Sequence, residues 1–111
     1  MIRFFDVSDP IIMFDLRIRS EHRGKGVGVQ ALRWIVSYAF SEFPEAIRIE
    51  GHTRVDNVLM RALFAKSIFV LEAYHRKSWS QAGQLFDSVG YAVIREDWEN
   101  NKITPIPWTI K

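Results

Sequence analysis

The chain has 111 residues, of which 48% are hydrophobic and 25% charged, and its formal net charge at pH 7 is +2. This length suits one domain with one core, and so small a charge gives no strong reason to expect a nucleic-acid or membrane partner. The absence of cysteine excludes disulfides, thiolate metal sites and a cysteine nucleophile. No apolar run approaches the roughly 18 residues that span a bilayer, so we expect a cytoplasmic protein.

The first part of the chain predicts a β-hairpin. Residues 1–7 are rich in Ile, Phe and Val, and the turn-forming sequence Ser-Asp-Pro follows at residues 8–10. Residues 11–19 form the second strand, in which Phe14 and Leu16 alternate with charged side chains. This alternation is typical of a strand that buries one face.

A glycine-rich loop at residues 23–28 separates the hairpin from a predicted helix that ends at about Phe40. The helix has apolar residues at helical spacing, which predict one buried stripe: Ala31, Leu32, Ile35, Val36 and Ala39. Residues 46–52 alternate in the manner of a third strand.

The second half of the chain predicts a short helix and another hairpin. Asp56 or Asn57 is expected to cap the helix, which ends at about Lys66. Residues 69–79 and 85–95 read as strands that are joined by a turn containing glycine.

The predicted order is β-β-α-β-α-β-β, which indicates an α+β domain with helices packed on a mixed, mostly antiparallel sheet. We assign residues 1–98 to a single domain. Residues 99–111, with two prolines near their end, are expected to form an extended C-terminal tail.

The loop before the first helix carries the most specific chemistry. Glycines let the backbone approach a ligand closely, and the first turn of a helix offers free N–H groups and a partial positive charge. Arg23 and Lys25 add further charge beside them. The loop therefore predicts an anion site suited to a pyrophosphate, with an ordinary glycine turn as the alternative. The Rossmann and P-loop glycine patterns are absent.

The stretch from Ile18 to Gly28 resembles the acetyl-CoA motif of the GNAT superfamily of N-acetyltransferases, Arg/Gln-x-x-Gly-x-Gly/Ala. Asn57, Leu63, Lys66 and Phe69 match the family's next motif, around its following helix. The later strands resemble the closing hairpin of the RimJ/RimL branch in several residues: Glu72, Ala73, Asp87, Tyr91, Asp97 and Trp98. The resemblance covers residues 11–98.

This resemblance implies a set of cofactor contacts. The backbone of the loop would hold the CoA pyrophosphate, and the preceding strand, around Ile18, would splay from its neighbour and pair with the pantetheine arm. Asn57 would bond the pantetheine or order the site, with a plain helix cap as the alternative. The implied cofactor-binding residues are Ile18, Arg23, Gly24, Lys25, Gly26, Val27, Gly28 and Asn57. Acetyl-CoA is the implied co-substrate, and the acceptor is a primary amine on a protein N-terminus or a small molecule.

Three departures from the family pattern bear on catalysis. Phe64 stands where many members have the Tyr that protonates the leaving thiolate, and a Phe has no proton to give. Ile68 stands where the family has a Gly, often with a helix-ending positive φ. The family's early strand and two helices have no counterpart in this sequence, so we expect an N-terminally shortened form of the fold.

The sequence assigns no catalytic residue. Asp15 and Glu50 are the available carboxylates, and each is expected to be a solvated or ion-paired strand residue. His22, His52 and His75 lack metal-ligand spacing, so we expect no metal and place them on the surface or a sheet face. Two functions stay open: acetyl transfer to an amine, or a CoA-binding or interaction module without catalysis. An unpaired outer edge on the first hairpin would favour a homodimer.

Overall fold

The computed structural model describes residues 2–5, 10–16 and 26–107. The elements of this part follow the predicted order, with one short helix added at the end. They are β1 (Ile2–Phe5), β2 (Ile11–Leu16), α1 (Val27–Glu42), β3 (Arg48–Arg54), α2 (Val58–Ala65), β4 (Val70–Gln81), β5 (Gln84–Ile94) and α3 (Arg95–Glu99).

The strands form one sheet in the order β1-β2-β3-β5-β4. Strands β2 and β3 are parallel, and the other neighbouring pairs are antiparallel. The parallel pair arises because α1 carries the chain back across the sheet between β2 and β3, as a parallel connection requires. The predicted α+β class and mostly antiparallel sheet are therefore confirmed.

The core lies between the sheet and helices α1 and α2. The predicted stripe of α1 is buried except for Ala31, which is half-buried, and Phe40 extends it by one further residue. Ile12 and Phe14 of β2 and Ile49 of β3 meet this stripe from the sheet. The alternate residues of β3 are half-buried on the opposite face, and all carry charged or ionisable groups: Arg48, Glu50, His52 and Arg54.

The second hairpin turns through two residues with positive φ, Ala82 at 53° and Gly83 at 75°. This is the backbone of the two-residue turn whose twist matches that of the flanking strands. The helix end near Ile68 is built differently from the family pattern, because Ile68 does not have a positive φ. Instead, both the N–H and the hydroxyl of Ser67 donate to the carbonyl oxygen of Phe64, at 3.1 and 2.7 Å.

The end of the last strand corrects the prediction. Strand β5 stops at Ile94, and Asp97 and Trp98, which were assigned to the closing hairpin, lie in α3. Asp97 is buried and accepts hydrogen bonds from the N–H and hydroxyl of Thr104, which ties the following segment to the helix. Trp98 packs against Phe40 with ring centroids 5.2 Å apart, so α3 is held by tertiary contacts.

Arg95, the first residue of α3, ties this helix to the end of α1 and to the loop that follows α1. Its Nε donates to the carbonyl of Ala46 at 2.7 Å, and its Nη2 donates to those of Phe40 and Phe43 at 3.0 Å each. The guanidinium also lies over the Phe40 ring, 4.7 Å from the centroid. Arg95 therefore satisfies carbonyl groups at the C-terminal end of α1, which a helix leaves without partners of its own.

We expect Arg95→Leu to lower the free energy of unfolding by about 2–3 kcal/mol, because several hydrogen bonds from a charged donor are lost together. Urea denaturation measures this loss. Arg3→Ala is the control, since Arg3 forms an exposed ion pair with Asp15 and should cost less than about 1 kcal/mol. Equal losses in the two variants would contradict a stabilising role for Arg95.

Candidate functional site

The parallel strands β2 and β3 separate partway along their length. Their pairing runs from Ile11 opposite Arg48 to Phe14 opposite Gly51. Both strands then continue, β2 to Leu16 and β3 to Arg54, while Leu16 still pairs with β1 on its other side. The sheet therefore opens between β2 and β3 at their C-terminal ends, as the resemblance implied.

Aromatic packing marks the point of separation. A Cβ at Gly51 would lie 2.7 Å from Cζ of Phe14 and 3.0 Å from Cζ of Phe64, so only glycine leaves room for both rings. Phe64 is 1% exposed and stacks on Tyr91 with ring centroids 4.3 Å apart. The residue that replaces the family's proton-donating Tyr is thus part of the core beneath the opening.

The opening leads into a cleft of about 800 Å³. Asp15 and Leu16 line it on the β2 side, and residues 51–54 line it on the β3 side. Asn57 at the start of α2 and residues 79–81 at the end of β4 complete the walls. The cleft therefore combines the apolar edge of the core with polar groups from four elements.

Helix α1 connects the parallel strands β2 and β3, so its start lies toward the C-terminal ends of these strands. Gly26 is its N-cap in a left-handed conformation, with φ at 77°. Among the described residues no side chain caps this end, and the first turn contains no acidic residue. The first N–H groups of α1 are therefore directed out of the helix with a partial positive charge, which fits an anionic ligand group.

The structure describes only part of the predicted cofactor loop. Gly26, Val27 and Gly28 lie at the start of α1, and Gly28 is buried there. The other predicted contacts, Ile18, Arg23, Gly24 and Lys25, lie outside the described residues. Their role stays a prediction from the sequence.

Asn57 has the predicted capping role and also lines the cleft. Its Oδ1 accepts a hydrogen bond from the N–H of Met60 at 3.1 Å, which caps α2. Since Oδ1 is occupied by the cap, Nδ2 is the group of this side chain that can donate to a ligand. The cap and the proposed ligand contact therefore use different atoms.

We expect Asn57→Ser to keep the stability of the protein, because a Ser hydroxyl also caps a helix, and Asn57→Ala to lower it by about 1 kcal/mol. If Nδ2 donates to CoA, both variants should bind CoA more weakly by about 0.5–1.5 kcal/mol. Denaturation and titration calorimetry measure the two effects separately. If Asn57→Ser bound CoA with wild-type affinity, Asn57 would have only its capping role and no contact with CoA.

The two carboxylates considered as bases are both ion-paired, as expected. Asp15 accepts from Arg3 at 2.7 Å, and Glu50 lies 2.8 Å from Arg48. Arg48 also reaches Glu72 at 2.9 Å, which joins β3 to β4. Both carboxylates are therefore engaged with arginine side chains.

The structure places in the cleft a histidine that the sequence analysis assigned to the surface or a sheet face. His52 lines the cleft one residue past the last β2–β3 pair. Burial lowers the pKa of His52 below its ordinary value of 6.5, against an opposing effect of the nearby Glu50. The ring is therefore neutral at pH 7. The alternation of β3 places His52 on the face of Glu50, and this was the signal available in the sequence.

Within the part of the chain that the structure describes, no three His, Asp or Glu side chains are grouped so that they could hold a metal ion. In the same residues, no helix has both the length and the apolar character required to cross a membrane.

A pair of parallel strands that separate, connected by a helix with glycines at its start, is the arrangement that the resemblance implied. The model of the Acetyltransferase (GNAT) family matches residues 1–69, and the chain belongs to this family.

One relative and two solved structures show how far the similarity extends. The chain is 32% identical over 85 residues to "Putative ribosomal N-acetyltransferase YdaF" of Bacillus subtilis, a match that covers 77% of this chain and 46% of YdaF. It superposes on a "Probable acetyltransferase" with a TM-score of 0.78 and 27% identity, covering 87% of this chain and 55% of that one. A spermidine N-acetyltransferase, SpeG, from Vibrio cholerae shares the fold with a TM-score of 0.80 and 20% identity, covering 90% and 60%. The chain thus spans about half the length of these proteins.

Proposed function

We propose that this chain transfers the acetyl group of acetyl-CoA to a primary amine. The observation that supports this most directly is the cleft where β2 and β3 separate, together with the start of α1 at glycines, which follows β2 along the chain. A long ligand with an anionic end and an extended, amide-containing arm matches these two features. Family membership supports the same co-substrate.

The described residues would hold acetyl-CoA in two places. The N–H groups of residues 26–28 would bind the pyrophosphate at the start of α1. The pantetheine arm would lie along β2 where it has left β3, at Asp15 and Leu16, and use backbone hydrogen bonds as an added strand does. Asn57 would donate from Nδ2 on the opposite side of the cleft.

The reaction in this proposal is a direct transfer in a ternary complex. A neutral amine attacks the thioester carbonyl carbon, a C–N bond forms, and the C–S bond breaks to release CoA. The protein's contribution is to hold the two reactants in line and to polarise the carbonyl with a backbone N–H of the separated strand. No covalent intermediate on the protein is required, in agreement with the absence of cysteine.

The acceptor belongs to one of two classes in this proposal, a protein N-terminus or a small amine. The name of YdaF refers to ribosomal N-acetylation and favours the first class. SpeG is named for spermidine and represents the second.

The test measures CoA binding by calorimetry and thioester cleavage with a panel of N-terminal peptides and polyamines. Binding with amine-dependent cleavage is the expected result. Binding without cleavage for any amine would favour the second candidate, a CoA-binding module without catalysis, for which the core position of Phe64 is the supporting observation. Failure to bind CoA would contradict both.

We also propose that the chain acts as a homodimer in the cytoplasm. Strand β1 lies at one outer edge of the sheet in the described residues, and edge strands readily pair with a second chain. Beside it, Trp34 is 51% exposed and stacks with Tyr38, which also stacks on Phe4. Light scattering at micromolar concentration tests this; a monomer at every concentration would contradict it.

A further inference from the structure

His52 lines the cleft one residue past the point where the strands separate. It follows Gly51, the last β3 residue paired with β2, and its side chain is 30% exposed. It also lines the same cleft as Asp15 and Phe64. A ligand group that reaches the end of the opening would therefore meet the imidazole.

Charged and titratable groups surround this ring from three strands. On β3, Oε2 of Glu50 lies 3.6 Å from Nε2 of His52, and Glu50 is itself held by Arg48. On β4, the ring of His75 stacks on that of His52 with centroids 5.9 Å apart. On β2, Asp15 adds a weaker attraction for a proton. Glu50 thus lies close enough to stabilise an imidazolium, while burial and His75 disfavour it.

Gly90 makes room for the ring on β5, the strand that pairs with β3. His52 and Gly90 are directly opposite in the register. A Cβ at Gly90 would lie 3.3 Å from Nε2 of His52 and equally close to Cβ of Ala73. The position of the imidazole over the sheet therefore depends on a residue without a side chain.

We propose that His52 is the proton acceptor for the amine, with Glu50 as its positioning residue. The inference rests on the proposed acetyl transfer, and its supports are the place of His52 in the cleft, the contact with Glu50 and the space over Gly90. A histidine that is neutral near pH 7 is suited to this role.

The proton balance of the step is complete. The acceptor enters as an ammonium ion and gives one proton to the unprotonated nitrogen of His52, which becomes an imidazolium. The amine lone pair then forms the C–N bond with the thioester carbonyl carbon. As the C–S bond breaks, the second proton leaves the nitrogen and ends on the CoA sulfur. The imidazolium returns its proton to solvent, on the side where His75 is exposed.

The first test compares His52→Gln with the matched control His75→Gln. We expect His52→Gln to bind acetyl-CoA as the wild type does but to lose roughly 10²–10⁴-fold in kcat/KM for the amine. The wild-type rate should fall as pH falls through the His52 pKa, below 6.5, and this acidic limb should disappear in His52→Gln and persist in His75→Gln. If His52→Gln kept the activity and the pH profile of the wild type, the role of His52 would be overturned, whereas the proposed acetyl transfer would stand.

The second test does not depend on turnover. NMR titration should show that the His52 ring has a pKa below 6.5 and that Glu50→Gln lowers it further, because Glu50 favours the protonated ring. An unchanged His52 pKa in Glu50→Gln would overturn the positioning role. If the wild type bound acetyl-CoA but no amine in the panel led to cleavage of its thioester, acetyl transfer and the role of His52 would both be overturned.

Discussion

A Gly26→Asp variant is expected to bind acetyl-CoA at least about 2 kcal/mol more weakly than the wild type, roughly a 30-fold rise in Kd. The change places a carboxylate at the uncapped start of α1, where the proposed site holds the pyrophosphate. It replaces a charge-assisted contact with repulsion. Calorimetry measures the affinity.

Gly26→Asn is the matched control for this prediction. Asn has nearly the shape of Asp, tolerates the left-handed φ of 77° at this position, and carries no charge. A Cβ at Gly26 would meet no atom of the described residues within 4 Å, so neither variant should disturb their packing. Asn should therefore cost much less affinity than Asp. If Gly26→Asp bound acetyl-CoA as tightly as the wild type, the pyrophosphate could not be assigned to the start of α1.

Phe64→Ala is expected to lower the free energy of unfolding by about 3–5 kcal/mol, the range for removing a buried aromatic ring. Phe64 contacts three other aromatic rings, those of Phe14, Phe69 and Tyr91, and the cavity left behind would lie directly under the strand separation. Chemical denaturation measures the loss, and reduced CoA affinity should accompany it because Phe14 would lose its support.

Val58→Ala provides the comparison on the same helix. Val58 is 77% exposed, and surface substitutions of this kind usually change stability by less than about 0.5 kcal/mol. A large difference between the two variants assigns Phe64 to the core. Similar small losses would instead mean that residue 64 contributes little to packing.

The fold could be predicted from local patterns, with element ends displaced by at most two residues where both ends are described. Helix α3 could not. Five residues are too few to show a helical period, and α3 is fixed by contacts of Arg95 with Phe40, Phe43 and Ala46, about fifty positions earlier. Such distant partners leave no local signal in the sequence.

The sequence singles out residues for the cofactor half of the candidate site, and their role stays a prediction, whereas it singles out none for the proposed catalytic half. The glycine loop and Asn57 carry short-range motifs, and Asn57 is found at the start of α2. The position of His52 instead depends on Gly90 and His75, which approach it only when β3, β4 and β5 assemble. The sequence alone shows that Phe64 departs from the family pattern, whereas its stacking on Tyr91 arises only in the tertiary structure.

The glycine at position 51 restricts which residues can stand where the two parallel strands separate. Gly51 is the last residue of β3 that pairs with β2, and the rings of Phe14 and Phe64 occupy the space that a side chain there would need. A larger residue would have to displace an aromatic ring or the backbone, so it would alter the core and the mouth of the cleft together. The stability of the fold and the shape of the cleft are therefore coupled through one position.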